Sequence, residues 1–418
     1  MQVIADLHIH SKYSRAVSKD MDLDGLARGS ITKGISVLGT GDFLHPIWNK
    51  ELKSKLTECG ESVYEYGGIK FILSGEVSLI YRQDGKARRV HHIMLCPGFD
   101  VLEQVKEYFA KKGRMDYDGR PIFGFSSIEL VDSLMNISKD IEIIPAHAWT
   151  PWFSLFGSMS GFNSIAECFQ DKAKYIHSIE TGLSSDPAMN WRLSQLDNIT
   201  FVSNSDSHSP HPYRLGREAN VFEMKEVSYA NIISSIRTRK GFMFTVEVDP
   251  SYGKYHYDGH RQCEFSCEPK ESIRLSNRCP KCKSKLTIGV LHRVEELADR
   301  EEGFIPPGSV PYKSMLPLSE LIANATGTGV FSKKTISLFG MFIEAFGNEF
   351  NILLNASRDD LAKIDENVAD IIIKCREGNL KVIPGFDGEY GRIEGSKQKI
   401  HKKIDKEASG QKSLGAFS

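Results

Sequence analysis

The sequence predicts an α/β fold over residues 1–250, followed by a small cysteine-bearing module and a helical region. Two observations support this prediction. Short apolar runs alternate with helical segments, as in parallel sheets and barrels. A single His, Asp or Glu follows the end of most runs, which is how a barrel assembles a multinuclear metal site. The strand candidates are residues 3–10, 35–41, 69–76, 89–95, 141–146, 175–181 and 199–205.

The first strand begins almost at the N-terminus, and the connections that follow it have helical character. Met21–Lys33 and Val101–Lys111 are the clearest helical segments. Asp84-Gly85 is a hairpin turn signal between two apolar runs. We therefore expect the third and fourth strands to form an antiparallel excursion within an otherwise parallel arrangement.

The composition is that of an ordinary globular protein. The chain has 418 residues, 40% hydrophobic and 26% charged, with a net charge of −1. This length favours two or three domains. No apolar run approaches the roughly 18 residues that span a membrane, and the N-terminus lacks a signal-peptide layout. We expect a cytoplasmic protein whose nucleic-acid surface, if it has one, is local.

The candidate metal ligands lie at strand ends. Alternate residues of a strand face the same side, so Asp6, His8 and His10 point together. Glu76 is suited to bridge two cations, because its two oxygens can bind one each. His91 and His92 are adjacent, so only one can face the site, and we favour His92. The predicted ligands are His8, His10, Glu76, His92, His147, Asp206 and His208, and Asp42 and Glu180 complete the predicted catalytic set.

This ordered set resembles the polymerase-and-histidinol-phosphatase (PHP) superfamily of metal-dependent phosphoesterases. The resemblance implies a distorted seven-stranded barrel with metals at the strand ends. One metal would bind His8, His10, Glu76 and Asp206, and another would bind Glu76, His92 and His147. Ala16 and Phe43 stand where the superfamily often has histidines for a third metal. We therefore expect two divalent cations, and this mixture of ligands is compatible with Zn, Mn, Mg or Fe.

Cys279-Pro280-Lys281-Cys282 is a zinc-knuckle motif within residues 251–313. Together with Cys263 it predicts one structural zinc ion. The fourth ligand is either His260 or Cys267, because both spacings are acceptable. Aromatic and basic residues around the motif, including Arg261, suit a nucleic-acid surface.

Over nearly the whole chain, the sequence resembles the endonuclease Q family. The PHP-like motifs, the knuckle and three further segments carry this resemblance: Leu286–Val290, Arg293–Arg300 and Pro384–Gly391. It implies a DNA repair endonuclease that nicks 5′ to hypoxanthine, uracil, xanthine or an abasic site. The damaged nucleotide would have to be extruded into a pocket. We expect an aromatic loop to line that pocket, with DNA or lesion contacts from Trp149, Trp152, Phe153 and Arg261.

The C-terminal residues 396–418 carry six Lys against Asp405 and Glu407. Gln411, Leu414 and Phe417 resemble the short peptide that docks on the DNA sliding clamp, although Ser418 replaces a second aromatic residue. We therefore expect a flexible Lys-rich tail with a clamp-binding motif, after a helical domain over residues 314–395.

Two other functions use the same features. The first is a small-molecule phosphoesterase of the histidinol-phosphatase type, which would not need the cysteine module or the tail. The second is a non-catalytic scaffold that binds DNA or the clamp through a degenerate metal site. We expect a monomer, since nicking one strand requires only one site.

Overall fold

The computed structural model describes residues 1–394 and has a mixed α/β fold built around a mixed sheet of eleven strands. Its strands are β1 (Gln2–Asp6), β2 (Val37–Gly39), β3 (Thr57–Gly60), β4 (Val63–Tyr66), β5 (Ile69–Gln83), β6 (Lys86–Cys96), β7 (Ile122–Phe123), β8 (Glu142–Pro145), β11 (Ala219–Glu223), β12 (Phe242–Glu247) and β15 (Tyr312–Ser314). The strands β9 (Ser178–Glu180) and β10 (Thr200–Val202) form a separate parallel pair. Two small antiparallel pairs follow, β13 (Asp258–His260) with β14 (Phe265–Cys267) and β16 (Val382–Ile383) with β17 (Arg392–Ile393).

The helices fall into three stretches of the chain. Around the sheet lie α1 (Leu23–Lys33), α2 (Pro46–Lys55), α3 (Phe99–Ala110), α4 (Ser127–Ile137), α5 (Ile165–Phe169), α6 (Pro187–Asn190) and α7 (Tyr229–Thr238). The cysteine module contains α8 (Pro269–Arg274) and α9 (Val290–Leu297). The C-terminal region contains α10 (Leu318–Thr326), α11 (Lys333–Phe346), α12 (Glu349–Leu354), α13 (Arg358–Ala362) and α14 (Glu366–Arg376). No helix within residues 1–394 is long and apolar enough to cross a membrane.

All seven predicted strands are present, although most are shorter than predicted. The strands β1, β2 and β5 are parallel neighbours, whereas β5 and β6 form a long antiparallel hairpin. Asp84 and Gly85 turn this hairpin with φ of 52° and 77°, the left-handed conformation that tight hairpin turns favour. The prediction of an antiparallel excursion is confirmed. Closure of the strands into a seven-stranded barrel stays a prediction.

The central sheet has an apolar layer on each face. One layer contains Ala5, Leu7, Ile72, Ile93 and Ile144, all fully buried. The helix α7 packs against this layer through Ile232, Ile233 and Ile236. Other helices cover the second layer; α4, for example, buries Leu130, Val131 and Leu134. This arrangement fixes the strands on both sides, so polar side chains at their carboxyl ends are held in place.

The local sequence explains where α1 begins and ends. Its cap is Asp22, whose side chain accepts a hydrogen bond from the Gly25 backbone N–H. The helix therefore begins at Leu23, two residues later than the predicted segment. It ends at Lys33, because the next residue, Gly34, has φ of 92°, a left-handed conformation that glycine adopts without strain.

The C-terminal helices pack against the sheet region through a buried ion pair. Lys33 Nζ, at the end of α1, donates to Glu349 Oε1 at 2.7 Å, and both side chains are at most 1% exposed. The predicted helical character of this region is present. The domain boundaries at 250, 313 and 395 stay predictions, and the tail after residue 394 lies outside the described residues.

Candidate metal centre

His8 and His10 lie just after β1, and each is oriented by a carboxylate. His8 Nδ1 is 3.0 and 3.1 Å from the two oxygens of Glu180. His10 Nδ1 is 2.9 Å from Asp42 Oδ1. These contacts leave the Nε2 atoms of both rings buried and without a hydrogen-bond partner. A histidine that donates through one nitrogen and presents the other is the usual arrangement at a metal.

Glu76 lies at the centre of the cluster. Its Oε2 is 3.5 Å from His8 Nε2 and 3.3 Å from His10 Nε2. Its Oε1 is 2.9 Å from His91 Nδ1 and 3.3 Å from His147 Nε2. The two oxygens of one carboxylate thus face two different pairs of histidines, as a bridging ligand requires.

Asp206 and His208 complete the cluster from the loop after β10. Asp206 Oδ1 is 3.1 Å from His10 Nε2 and has no hydrogen-bond partner. His208 Nδ1 donates to the Asp206 carbonyl oxygen at 2.8 Å. Asp206, His147 and Asp42 have φ of 46°, 30° and 46°. These left-handed conformations are costly for residues other than glycine and often occur at functional sites.

The donor atoms fit divalent cations. Three groups have ligand atoms within 4.8 Å of one another: His8, His10 and Glu76; His10, Asp206 and His208; and Glu76, His91 and His147. Buried donors without hydrogen-bond partners, from both imidazole and carboxylate, are what such a cation requires. The arrangement can therefore hold more than one cation, with Glu76 and His10 shared between groups.

The electrostatics of the cluster also favour cations. Burial opposes charge on His8, but the carboxylates of Glu180 and Glu76 outweigh it and hold the pKa of His8 well above its usual range. Burial likewise opposes ionisation of Glu76, yet His91 and Arg120 hold its pKa well below the usual range. The carboxylate therefore stays ionised and draws positive charge into the site.

The choice of His92 as a ligand was wrong, and His91 takes its place. In the ladder, Glu76 pairs with Ile93 and Val77 pairs with His92, so His92 faces away from Glu76. His92 Nε2 lies 2.8 Å from Ser127 Oγ on α4, and burial lowers the pKa of His92 to about 3. The prediction that only one of the two histidines faces the site was correct, but it chose the wrong face of the strand.

Asp42 and Glu180 contact the histidines rather than lining the donor cluster. Besides its His10 contact, Asp42 accepts hydrogen bonds from Ser11 and Ser14. Glu180 accepts from the His147 backbone N–H at 2.7 Å and from Asn204 at 3.0 Å. Both carboxylates are thus fully occupied in positioning ligands.

Sequence reasoning missed Arg120, whose Nη1 donates to Glu76 Oε2 at 3.1 Å. Arg120 lies in Asp118-Gly119-Arg120-Pro121, a loop without the periodicity that identified the other residues. The position of a residue in a loop sequence does not show where its side chain points, so the contact of Arg120 with Glu76 could be found only from the fold.

The aromatic loop after β8 is only partly exposed. Trp149 was predicted to contact DNA, but it is buried, with its Nε1 donating to Asn190 at 2.7 Å and its ring packed on Phe156. That prediction was wrong, because the first turn of the loop folds back into the core. Phe153 lies 4.8 Å from the His91 ring, measured between ring centroids. Trp152 is 39% exposed and contacts Tyr255 of the cysteine module.

The cysteine module gathers four donors, His260, Cys263, Cys279 and Cys282, within 4.8 Å of one another. This set favours His260 over Cys267 as the fourth ligand. In the hairpin, Cys267 pairs with Asp258 and His260 pairs with Phe265. Two rungs of the ladder therefore separate Cys267 from His260, roughly 6–7 Å along a strand. Hydrogen bonds from Ser284 lower the pKa of Cys282 to about 6, which favours the thiolate that zinc binds.

Two other sequence-based predictions are not tested by the structure. Arg261 lies exposed at the tip of the module, and its backbone N–H donates to Asp387 at 2.6 Å. Its predicted DNA contact stays a prediction. The clamp-like residues Gln411, Leu414 and Phe417 lie outside the described residues.

The chain is similar to known proteins over most of its length. Residues 317–379 match the family described as the MJ0043 C-terminal domain. A stretch of 294 residues, 69% of this chain, is 36% identical to uncharacterized protein MJ0043 of Methanocaldococcus jannaschii, and it covers 36% of that protein's length.

Two crystal structures match almost the whole chain. The lesion-specific endonuclease Q of Pyrococcus furiosus superimposes with a TM-score of 0.86 at 36% identity, covering 94% of this chain and 95% of that chain. Endonuclease Q in complex with a 27-mer duplex bearing an abasic lesion at the active site superimposes with a TM-score of 0.84 at 35% identity, covering 97% and 100%. The chain therefore belongs to the endonuclease Q family of DNA endonucleases.

Proposed function

We propose that this protein hydrolyses the DNA phosphodiester on the 5′ side of deaminated bases and abasic sites. The observation that carries the proposal is the bridging position of Glu76 between two groups of histidines. Structural similarity to an endonuclease Q bound to an abasic duplex supports the substrate class.

The centre is proposed to hold two divalent cations. His8, His10 and Glu76 would hold one, and Glu76, His91 and His147 would hold the other, while His10, Asp206 and His208 form a third donor group. Bound cations would activate water and stabilise the leaving oxygen of an in-line displacement. The chain's own residues orient the ligands. Glu180 and Asp42 fix His8 and His10 so that both Nε2 atoms point inward. These carboxylates also raise the basicity of the imidazoles, which makes them stronger metal ligands.

The aromatic loop gives the site its proposed lesion contacts. Phe153 packs on His91 at the donor cluster, and Trp152 extends from the same loop toward the cysteine module. An exposed aromatic side chain beside a nuclease centre can stack on a base or fill the gap that an extruded base leaves. We propose these two residues, and not Trp149, for that role.

The cysteine module is proposed to bind one structural zinc ion and to hold a DNA-facing surface. Four donors in a small module with little apolar core fit a stabilising metal. Arg261 lies beside the donor cluster and is exposed, as a phosphate contact requires.

The proposal is tested with an end-labelled duplex containing one deoxyinosine, deoxyuridine or abasic site, beside an undamaged duplex. Manganese or magnesium is supplied, and a His8→Ala variant is assayed in parallel. We expect one nick 5′ to the lesion by the wild-type protein and none by the variant. Cleavage of a small phosphomonoester without any lesion-dependent nick would contradict the proposal and favour the small-molecule phosphoesterase.

We also propose that the C-terminal tail binds the DNA sliding clamp and that the protein acts as a monomer. Gln411, Leu414 and Phe417 support the clamp interaction through their spacing. Replacing Leu414 and Phe417 together by Ala should abolish co-elution with the clamp while nicking without the clamp stays unchanged. Equal co-elution of the variant and the wild type would contradict the clamp interaction.

A further inference from the structure

Arg120 reaches the donor cluster from a loop that is held tightly against it. A Cβ at Gly119 would overlap the Asp42 carboxylate and the Ser14 hydroxyl, so glycine alone permits this close approach. The Gly119 N–H donates to the Tyr13 carbonyl at 3.2 Å. Two residues later, the Pro121 carbonyl accepts from Ser78 on β5 at 3.0 Å. The backbone of Arg120 is therefore fixed between two anchored neighbours.

The guanidinium of Arg120 has donors to spare. Its contact with Glu76 is the one hydrogen bond that its side chain makes within residues 1–394. The side chain is 26% exposed, so the protein does not fully enclose it. A planar guanidinium with free N–H groups binds phosphate oxygens in a forked geometry.

The charges around Arg120 indicate what its free N–H groups bind. Glu76 is the shared carboxylate of two donor groups, so cations at the centre would already neutralise it. A permanent cation beside them would then repel them, at a cost that is high in a buried site. An incoming anion between the guanidinium and the centre removes that cost. The substrate class supplies such an anion as the phosphodiester.

We propose that Arg120 binds the non-bridging oxygens of the scissile phosphodiester and positions it for attack at the donor cluster. This inference rests on the proposed nuclease function. It adds to that function a substrate-binding side chain that lies outside the ligand set and its supporting carboxylates.

The test compares Arg120→Ala and Arg120→Lys with Arg114→Ala. Arg114 is a matched control, because it lies on the same loop but is 75% exposed and pairs with Asp116. We expect Arg120→Ala to lower kcat/KM for lesion nicking by about 100-fold or more, as for other groups that stabilise transition-state charge. Arg120→Lys should retain part of the activity, and Arg114→Ala nearly all of it. Added guanidinium ion should partly restore Arg120→Ala.

The metal content of each variant distinguishes this role from a structural one. Arg120→Ala should keep the wild-type amount of metal at the centre. Nicking by Arg120→Ala at the rate of Arg114→Ala would overturn the proposal, and so would loss of metal in step with loss of activity in both Arg120 variants. If the wild type itself does not nick damaged DNA, the proposed function fails, which is a different result.

A methylphosphonate identifies which phosphate Arg120 contacts. It is placed at the phosphate next to the scissile one, on its 5′ side, which removes that charge alone. We expect Arg120→Ala to lose the same factor on this substrate as on normal DNA, because the scissile phosphate is intact. If the substitution no longer matters on the modified duplex, Arg120 binds the neighbouring phosphate and the proposal is overturned.

Discussion

Two adjacent histidines on β6 have opposite surroundings. His91 faces Glu76 and His147. Its Nδ1 lies 2.9 Å from Glu76 Oε1 and 3.2 Å from His147 Nε2. His92 is buried against α4 and Phe169 and contacts Ser127. One step along a strand therefore separates a candidate ligand from a core residue.

This difference predicts unequal effects of substitution. We expect His91→Ala to lose metal from the centre and to reduce nicking by about 100-fold or more, since the centre activates the attacking water. His92→Gln retains a polar atom for Ser127 and should keep both metal content and activity. Metal analysis and lesion-nicking rates of the two purified variants test this expectation. Loss of metal in His92→Gln alone would reverse the assignment.

The sequence predicts which residue types form the metal centre, whereas it does not predict the direction in which each side chain points. His8, His10, Glu76, His147, Asp206 and His208 follow from strand ends and meet in the structure. The choice between His91 and His92 depends on which face of β6 turns toward Glu76, and a strand with two apolar faces does not show this. Arg120 and Trp149 depend on loop conformation, for which the sequence has no periodic signal.

Strand β12 ends in a buried carboxylate, Glu247, that lies near the buried carboxylate of Glu218. Glu247 accepts hydrogen bonds from Thr181 at 2.8 Å and from Thr245 at 2.5 Å. Burial raises the pKa of Glu247 from its ordinary value of 4.5 to about 8. Burial and repulsion by Glu247 raise the pKa of Glu218 well above its usual range. The folded protein thus holds protons that the unfolded chain would release.

The sign of the resulting pH dependence follows from proton binding. Between pH 4.5 and about 8, folded Glu247 is protonated while the unfolded side chain is ionised. Its contribution to the free energy of unfolding is therefore full below pH 4.5 and is lost as pH rises through that window. Glu247→Gln cannot ionise, so its thermal midpoint should exceed that of the wild type by more at pH 8 than at pH 5.

Thermal unfolding at pH 5, 6.5 and 8 measures this difference. Glu223→Gln, at the exposed end of β11, is the matched control and should follow the wild type at every pH. An equal offset between Glu247→Gln and the wild type at pH 5 and pH 8 would contradict the prediction.

The geometry of the β13–β14 hairpin predicts which cysteines of the module bind zinc. Cys279 belongs to the four-donor group and Cys267 does not. We expect Cys279→Ser to release about one equivalent of zinc and to lower the stability of the module, because structural zinc supplies folding energy. Cys267→Ser should retain the zinc. Retention of zinc by His260→Ala combined with its loss from Cys267→Ser would assign the fourth ligand to Cys267 instead.

Strands and helices were predicted correctly where a local sequence motif marks them. The β5–β6 hairpin was identified because Asp84-Gly85 marks its turn. The pairs β3–β4 and β11–β12 were missed, since these strands are defined by their pairing within the sheet. The helix α11 shows that apolar spacing alone does not determine burial. Its apolar spacing predicts a buried stripe, yet Ile336 is 60% exposed.

The whole molecule is joined across its two largest parts by the Lys33–Glu349 ion pair. Lys33 Nζ also donates to the Pro212 carbonyl at 2.9 Å, in the same loop as Asp206. Glu349 Oε1 accepts the Leu318 N–H at 3.0 Å at the start of α10. A single buried charge pair therefore connects α1, the C-terminal helices and the loop of the candidate metal centre.

Removing one partner leaves the other charge buried without compensation. We expect Lys33→Met to lower the free energy of unfolding by about 3–5 kcal/mol. The double variant Lys33→Met with Glu349→Leu removes both charges and should recover much of that loss, because paired burial of ions contributes little net stability. Urea unfolding of the wild type, both single variants and the double variant gives the coupling between the two residues. Effects of Lys33→Met and Glu349→Leu that simply add would show that the pair does not act as a unit.

If the pair does act as a unit, Lys33→Met should also weaken lesion nicking, since the loop that contains Pro212 also contains Asp206 and His208. The double variant should nick more strongly than Lys33→Met.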